Sequence, residues 1–397
     1  MPPQNLRIPG PTPLPDAVRE AGRLPMINHR GPEFQELLVR ASAGMRPWFG
    51  TTSDVQILTS SGTGGLESAI VSFLSPGDPV LAVSIGNFGE RFAKIADIYG
   101  ADVTLLEVEW GQAADADSVR ESIRAMVGEG RSPRAVLVTF NETSTGVTNP
   151  IEQLAGAIRE AAPKTLILVD GVSGIGAMPF QMDAWDIDVV VTGSQKAWMI
   201  PPGLAMAAAS ERAWAAAATA TMPCFYFDLA RHRDVLPKGQ TPWTPAVGLV
   251  FQLEAALTLM EAEGMEAIFT RHAACGAASR AGLQAMGFEL FADRAYASNS
   301  VTSAHVPAGV EWSAVSKELQ ARGLILAGGQ GKLKGKVFRI GHLGHVGVDD
   351  IVHAMEVLEE GATAAGVTVP RGVAAEAARR AGTERAAGAP AHMAARA

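Results

Sequence analysis

Seven short apolar runs, separated by stretches with helical spacing, constrain the fold of this chain more than any other feature. The runs are Val55–Leu58, Pro79–Ile85, Asp102–Val108, Arg134–Phe140, Thr165–Asp170, Asp188–Gly193 and Leu204–Ser210. Because they are almost continuously apolar rather than alternating, each is typical of a strand that is buried on both faces. Helical spacing lies between them, as at Gly65–Leu74 and Ile151–Ala161. The pattern predicts an α/β fold with a mostly parallel, seven-stranded sheet.

Changes in this pattern divide the chain into four segments. We predict an N-terminal arm (1–25), a large domain (26–263), a smaller α+β domain (264–369) and a disordered tail (370–397). The first fifteen residues include six prolines, so the arm should be extended. Because the arm has nothing of its own to pack on, we expect it to wrap over a partner. The tail is rich in alanine, arginine and glycine and offers little to bury.

Composition argues against several classes of function. The 397 residues carry a formal net charge of −8 and show no basic stripe, which argues against nucleic-acid binding. The two cysteines, Cys224 and Cys275, are far apart and form neither a disulfide framework nor a metal-ligand pattern. No apolar run has membrane-spanning length, and the N-terminus has no apolar signal region. We therefore expect a soluble, cytoplasmic protein without a metal site or a membrane contact.

Three polar features follow strand runs, where a parallel sheet would bring them to one edge. The glycine-rich segment Thr59–Ser68 opens a helix and could cradle a phosphate or simply cap that helix. Asp170 ends one run and could cap a turn or hold a protonated ring nitrogen. Lys196 follows the next run and could extend its amine into water or form a Schiff base. Their order and shared edge together predict a pyridoxal phosphate site.

Longer motifs around these residues resemble one enzyme family. They are LVDGVSGIGAMPFQMDAWDIDVVVTGSQKAWMIPPGLA (Leu168–Ala205) and NETSTGVTNP (Asn141–Pro150). Both are similar to the core of fold-type I, class V aminotransferases, and the likeness extends over nearly the whole chain. Within that class the chain resembles the alanine–glyoxylate and serine–glyoxylate aminotransferases. The resemblance implies the fold-type I architecture, pyridoxal 5′-phosphate as cofactor, and a homodimer with shared active sites.

The resemblance also implies which residues contact the cofactor. Lys196 would form the Schiff base, and Asp170 would pair with the pyridine nitrogen. Within one chain, the phosphate would be contacted by Ser61, Gly62, Thr63 and Gln195. Thr143 would contact the phenolic oxygen or the substrate, and Phe88 and Val172 would contact the two faces of the ring.

Further residues are implied at the substrate and from a second subunit. Arg339 would bind the substrate carboxylate, because a guanidinium grips a carboxylate with two parallel hydrogen bonds. Thr241 and Thr244 would reach the phosphate of the neighbouring subunit. Arg30 would reach the neighbouring substrate site, with His29 at the position where plant-type enzymes have tyrosine.

The expected reaction is transfer of an amino group from serine or alanine to a small 2-oxo acid, glyoxylate or pyruvate. Three alternatives stay open. One is a ureidoglycine–glyoxylate aminotransferase, and another is a class V lyase such as a cysteine desulfurase. That group has histidine before the lysine, whereas this chain has Gln195. The third is a non-catalytic assembly subunit, which would need none of Lys196, Asp170 and Arg339.

Overall fold

The computed structural model describes residues 4–388 of the chain. Its helices are α1 (Asp16–Ala21), α2 (Pro32–Phe49), α3 (Gly62–Phe73), α4 (Asn87–Ile98), α5 (Ala116–Gly128), α6 (Ile151–Ala161), α7 (Glu211–Ala217), α8 (Leu229–Val235), α9 (Val247–Glu263), α10 (Met265–Ala285), α11 (Trp312–Ala321), α12 (Val348–Ala364) and α13 (Ala374–Ala387). Its strands are β1 (Asn5–Leu6), β2 (Val55–Ser60), β3 (Pro79–Ser84), β4 (Asp102–Glu107), β5 (Ala135–Thr139), β6 (Asn141–Glu142), β7 (Val147–Thr148), β8 (Leu166–Asp170), β9 (Val189–Gly193), β10 (Gly203–Ala209), β11 (Val301–His305), β12 (Leu324–Ile325), β13 (Ala327–Gly328) and β14 (Val337–Gly341).

The central sheet has seven strands in the order β2-β10-β9-β8-β5-β3-β4. Neighbouring strands are parallel except at β10, which runs antiparallel to both β9 and β2. Each of the seven apolar runs forms one of these strands, so the predicted mostly parallel sheet is confirmed. Strands β5, β8 and β9 are buried at every position, as continuous apolar sequences predict.

Alternate residues of the strands enter two hydrophobic cores, one on each face of the sheet. In β5, Val136 and Val138 join a core that includes residues of α2, α6 and α9. Ala135 and Leu137 point the other way and join a core with residues of α3, α4 and α7. Helices therefore cover both faces of the sheet. A ligand can approach the strands only at their ends.

Helix α10 follows α9 at Gly264 and leads into a second, C-terminal domain, although Ile268 and Phe269 near its start pack in the first of the two cores. Strands β11, β14 and β13 form an antiparallel sheet in that order. Helices α10, α11 and α12 contribute to a separate core, with Leu319, Phe338 and Met355 fully or almost fully buried in it. This is the α+β pattern that the sequence predicts for the region.

The C-terminal segment departs from the prediction. Residues 374–387 form helix α13, so the expectation of disorder is wrong for this part, and residues 389–397 lie outside the described residues. The helix packs on α10 and α12 and buries Ala378 and Gly382. A Cβ at Gly382 would lie only 2.6 Å from a methyl group of Val348. Small residues thus allow close helix packing without the large apolar side chains by which a buried helix is usually recognised.

The N-terminal arm packs on its own chain rather than lacking a surface there. Strand β1 pairs in parallel with β12 of the second domain. The carbonyl of Arg7 accepts a hydrogen bond from the N–H of Gly341, and the N–H of Thr12 donates to the carbonyl of Gln195. The expectation that the arm has nothing of its own to pack on is therefore wrong. Backbone hydrogen bonds hold it, and these have no apolar signature in the sequence.

Candidate active site

Six strands of the sheet end at one edge, and residues that follow five of them line a single cleft. Every strand except β10 shares one direction, so their carboxyl ends lie together. The five strands that lead into the cleft are β2, β3, β5, β8 and β9. The cleft holds about 510 Å³ of space that protein atoms do not occupy. Its lining residues are Ser61, Gly62, Thr63, Leu66, Phe88, Arg91, Asn141, Thr143, Asp170, Val172, Ser173, Gln195 and Lys196. The structure therefore brings together every residue that was predicted to contact the cofactor from within one chain.

The glycine-rich segment after β2 places uncharged hydrogen-bond donors around the start of α3, a cradle of the kind that suits an anion. Ser61 is the N-cap residue with an extended backbone, and the hydroxyl-bearing residues Ser61 and Thr63 are exposed. A Cβ at Gly62 would lie 2.7 Å from Val172, so the helix start approaches the end of β8 as closely as glycine allows. Free N–H groups at a helix N-terminus, with two hydroxyl groups beside them, suit a phosphate.

Asp170 ends β8 with its side chain buried. Its Oδ1 accepts a hydrogen bond of 3.0 Å from the N–H of Val172, as a turn-capping residue would, which leaves Oδ2 for a ligand. Burial raises the pKa of the Asp170 carboxyl to about 7, and the Glu142 carboxylate contributes to the rise. Within residues 4–388 no basic side chain forms an ion pair with this carboxyl. A protonated ring nitrogen would supply a countercharge.

Lys196 is the third residue after β9, and its amine faces the arm and the cleft. Its Nζ donates a hydrogen bond of 2.5 Å to the carbonyl of Pro9, and a Cβ at Gly10 would lie 2.9 Å from the same Nζ. Burial, with smaller effects from Arg339 and Arg91, lowers the pKa of this amine to about 8. A larger neutral fraction makes the amine a better nucleophile than an exposed lysine. The alternative of an amine extended into water does not fit this geometry.

A buried polar network behind the cleft holds Thr143 in place. Its Oγ1 donates to the hydroxyl oxygen of Ser173 at 2.8 Å. Asn141 donates through Nδ2 to the same oxygen at 2.8 Å and to the hydroxyl of Ser300 at 2.9 Å. The network links the large domain to the second domain through Ser300. The sequence analysis named only Thr143, because isolated serine and asparagine residues carry no spacing signal.

Glu142 is a further buried residue that the sequence analysis missed, although it lies within the NETSTG motif. Its Oε2 accepts hydrogen bonds from the N–H groups of Phe88 and Gly89, at 3.0 and 3.1 Å. Its Oε1 accepts from the N–H and the hydroxyl of Ser144, at 3.0 and 2.5 Å. Burial raises the pKa of this carboxyl, and the four hydrogen bonds oppose that shift. Glu142 thus fixes the start of α4, which presents Phe88 to the cleft.

Arg339 reaches the site from β14 of the second domain, and its side chain is buried. Its Nε donates to the carbonyl of Gly328 at 2.9 Å. Its Nη1 donates to the carbonyl of Thr143 and to Oε1 of Gln330, both at 3.2 Å. Burial lowers the pKa of the guanidinium to about 10, and Glu142 opposes this. Among residues 4–388, Arg339 has only neutral hydrogen-bond partners, so its charge is available to a ligand carboxylate.

The residues predicted to serve a second subunit do not line the cleft of their own chain. Arg30 donates through Nη1 to Oε1 of Gln240 at 2.6 Å and to the carbonyl of Thr241 at 2.7 Å. The hydroxyl of Thr241 donates to the carbonyl of Trp243 at 2.6 Å. Thr244 is exposed in the same loop. His29, next to Arg30, is half-buried.

Comparison with known proteins assigns the family. A family model described as aminotransferase class-V matches residues 18–335. This chain is a class V aminotransferase. The expected family is thereby confirmed, and the enzyme is a transaminase whose cofactor is pyridoxal phosphate.

Three known relatives of this aminotransferase carry different names. "Soluble hydrogenase, small subunit" of Synechococcus is 43% identical and is matched over 89% of this chain and 91% of its own length. L-aspartate–glyoxylate aminotransferase of Paracoccus denitrificans is 42% identical, with 85% of each chain covered. Serine–glyoxylate aminotransferase of Methylorubrum extorquens is 35% identical, with 93% of each chain covered. The chain thus spans most of each relative.

A solved structure supports the fold-type I architecture. The ureidoglycine–glyoxylate aminotransferase of Bacillus subtilis superposes with a TM-score of 0.89 and is 28% identical. The similarity covers 96% of this aminotransferase and 98% of that chain, so it includes both the large domain and the second domain. Within residues 4–388, no helix of the enzyme is long and apolar enough to cross a membrane.

Proposed function

We propose that this aminotransferase moves an amino group from serine or alanine to glyoxylate, with pyruvate as the other small acceptor. The observation that carries the proposal is the position of the half-buried Lys196 amine and the buried Asp170 carboxyl in the lining of one cleft. Two relatives and the superposed structure are each named for a reaction with glyoxylate, which supports this acceptor.

Each residue of the cleft has a distinct part in this proposal. The cofactor supplies an electron sink when it is bound. Lys196 would hold the cofactor through its amine and would accept the proton that leaves the substrate Cα. Asp170 would keep the pyridine nitrogen protonated, and Phe88 and Val172 would contact the ring. The cradle at Ser61 would bind the phosphate.

The donor can be identified by activity with a defined panel. Serine, alanine, aspartate and ureidoglycine would each be tested against glyoxylate and against pyruvate, with the oxo-acid product measured. We expect the highest kcat/KM with serine or alanine and glyoxylate. A preference for ureidoglycine would favour the activity named for the superposed structure. Absence of transamination with every pair, in an enzyme that binds pyridoxal phosphate, would contradict the proposal.

Arg339→Gln should raise the KM of the amino donor by about 10- to 100-fold. The substitution removes a charge-assisted contact worth roughly 1.5–3 kcal/mol. Covalent attachment of the cofactor should be retained, because Arg339 does not line the cofactor cleft. Steady-state kinetics and the visible spectrum test both points. An unchanged KM would mean that Arg339 only supports Thr143 and does not bind the substrate.

The proposed assembly is a homodimer in which each chain lends residues to the other site. The loop that contains Thr241 and Thr244 lies away from its own cleft, next to an exposed aromatic cluster. In that cluster the rings of Phe225 and Trp243 stack at 4.6 Å, and 64% of Phe225 is exposed. Exposed aromatic side chains beside a polar loop are typical of a protein interface.

Mixing two inactive variants should restore activity if the sites are shared. In a heterodimer of Lys196→Ala and Arg30→Ala chains, one site collects both substitutions and the other collects neither. We expect recovery toward half the activity of a wild-type dimer for each heterodimer formed. Heterodimers isolated with two affinity tags would be assayed beside both homodimers. If they form and stay inactive, Arg30 acts outside the partner's site.

A further inference from the structure

Arg91 brings a guanidinium to the edge of the cleft without a role in the site described above. It lies on α4, one turn after Phe88, and its Cζ is 4.7 Å from the centroid of the Phe88 ring. Its Nη1 is 3.4 Å from Oγ1 of Thr63, a contact at the long limit of a hydrogen bond. Arg91 and both of these neighbours line the cleft. The side chain therefore spans the ring-stacking residue and the anion cradle.

Among residues 4–388, the charge of Arg91 has no partner of opposite sign. Within the described part of the chain, no carboxylate forms an ion pair with it, and its two contacts are a ring and a hydroxyl. Lys94, one turn further along the same helix, differs because its Nζ is 2.6 Å from Asp97. The positive charge also acts inside the cleft, where it is one of the groups that lower the pKa of Lys196. An unpaired guanidinium at a cleft is available to an anion.

The cradle itself consists of neutral donors. Ser61 and Thr63 offer hydroxyl groups, and α3 offers the N–H groups of its first turn. A phosphate monoester carries about −1.5 to −2 charges at neutral pH. The Lys196 amine attaches the cofactor and cannot also neutralise the phosphate. No lysine or arginine in the described ranges, other than Arg91, donates a hydrogen bond to a side chain of this cradle.

We propose that Arg91 binds the phosphate of pyridoxal phosphate and is the cationic part of the cradle. The inference rests on the proposed function of this cleft and adds a residue that the sequence motifs did not assign. The three-residue spacing of Phe88 and Arg91 puts both on one face of α4. One helix would then supply the ring contact and the phosphate charge. A guanidinium is suited to this role because its donors match the oxygen atoms of a phosphate.

Binding of two cofactor analogues to the apoenzyme tests the proposal. Pyridoxal phosphate and pyridoxal, which lacks the phosphate, would be titrated separately and followed by visible absorbance. For Arg91→Gln we expect roughly 10- to 100-fold weaker binding of pyridoxal phosphate, and less than about a twofold change for pyridoxal. Arg91→Lys should bind pyridoxal phosphate with an affinity between those of Arg91→Gln and the wild type. Lys94→Gln is the matched control, because it removes a cation from the same helix away from the cleft, and it should bind like the wild type.

Two results would overturn the assignment. Equal weakening for pyridoxal and pyridoxal phosphate would mean that Arg91 only supports the Phe88 ring. Unchanged binding of pyridoxal phosphate, together with a raised KM for aspartate, would assign Arg91 to a substrate carboxylate instead. Because both titrations omit substrate, a wild-type protein that binds the cofactor but fails to transaminate would contradict the proposed function alone. Thermal unfolding of each apo variant checks that the fold is retained.

Discussion

Lys196→Ala is expected to abolish transamination. Without the amine the enzyme cannot attach its cofactor covalently, and it loses the group that moves the substrate proton. A positioned general base alone contributes roughly 10²–10⁴-fold, so binding energy from the rest of the cleft cannot compensate. Steady-state assays with the serine–glyoxylate pair, beside Lys94→Ala as an exposed-lysine control, provide the measurement.

The visible spectrum gives an independent readout for the same variant. Wild-type protein with pyridoxal phosphate should be yellow, and the absorbance of the lysine-bound cofactor should be missing from Lys196→Ala. Turnover by Lys196→Ala at the wild-type rate would exclude the proposed mechanism. Lys196 would then have only a packing role beside Pro9.

Asp170→Asn should retain the fold and lose most of the activity, by about two orders of magnitude or more. The amide has nearly the same shape and can still accept the hydrogen bond from Val172. It cannot hold a proton on the pyridine nitrogen, so the cofactor no longer withdraws electrons effectively. Stopped-flow or steady-state rates at saturating cofactor distinguish this loss from weaker binding. Near-wild-type turnover would leave Asp170 with only its turn-capping role.

The pH dependence of the stability of the apoenzyme provides a second test of Asp170→Asn. The Asp170 carboxyl has a pKa of about 7 in the folded protein and an ordinary value of 3.8. Between those values the folded state binds more protons than the unfolded state, so this residue makes stability fall as pH rises from about 4 to 7. Asparagine does not titrate. The free energy of unfolding of Asp170→Asn relative to wild type should therefore increase over that window and level off above it. A difference independent of pH, in urea unfolding at pH 5 and pH 8, would contradict the raised pKa.

The sheet could be predicted because the burial of its strands on both faces is what produces the continuous apolar runs in the sequence. A strand covered by helices on both faces must be apolar at successive positions, and β5, β8 and β9 are. The shared direction of the strands then places Asp170 and Lys196 at one edge. The other site residues were predicted from the resemblance of the motifs to the family.

Other parts of the site have no such signal in the sequence. Glu142 and Ser173 act through hydrogen bonds to backbone or hydroxyl groups that only the folded chain brings near. Arg91 looks like an ordinary helix arginine until Phe88 and Thr63 are seen beside it. Outside the site, helix α13 was not predicted because its packing contacts are made by alanine and glycine. In each case the determining property is proximity, which composition and spacing do not encode.

The path of the N-terminal arm has a consequence for the order in which the enzyme is built on the ribosome. Residues that form β1 emerge before the large domain, yet their pairing partner Leu324–Ile325 is synthesised more than three hundred residues later. The carbonyl of Pro9 therefore cannot be held in position over Lys196 by that pairing until the second domain has emerged. During synthesis the large domain can form its sheet while Lys196 is still uncovered. A segment that is translated before the sheet is thus among the last parts of the fold to reach its final place.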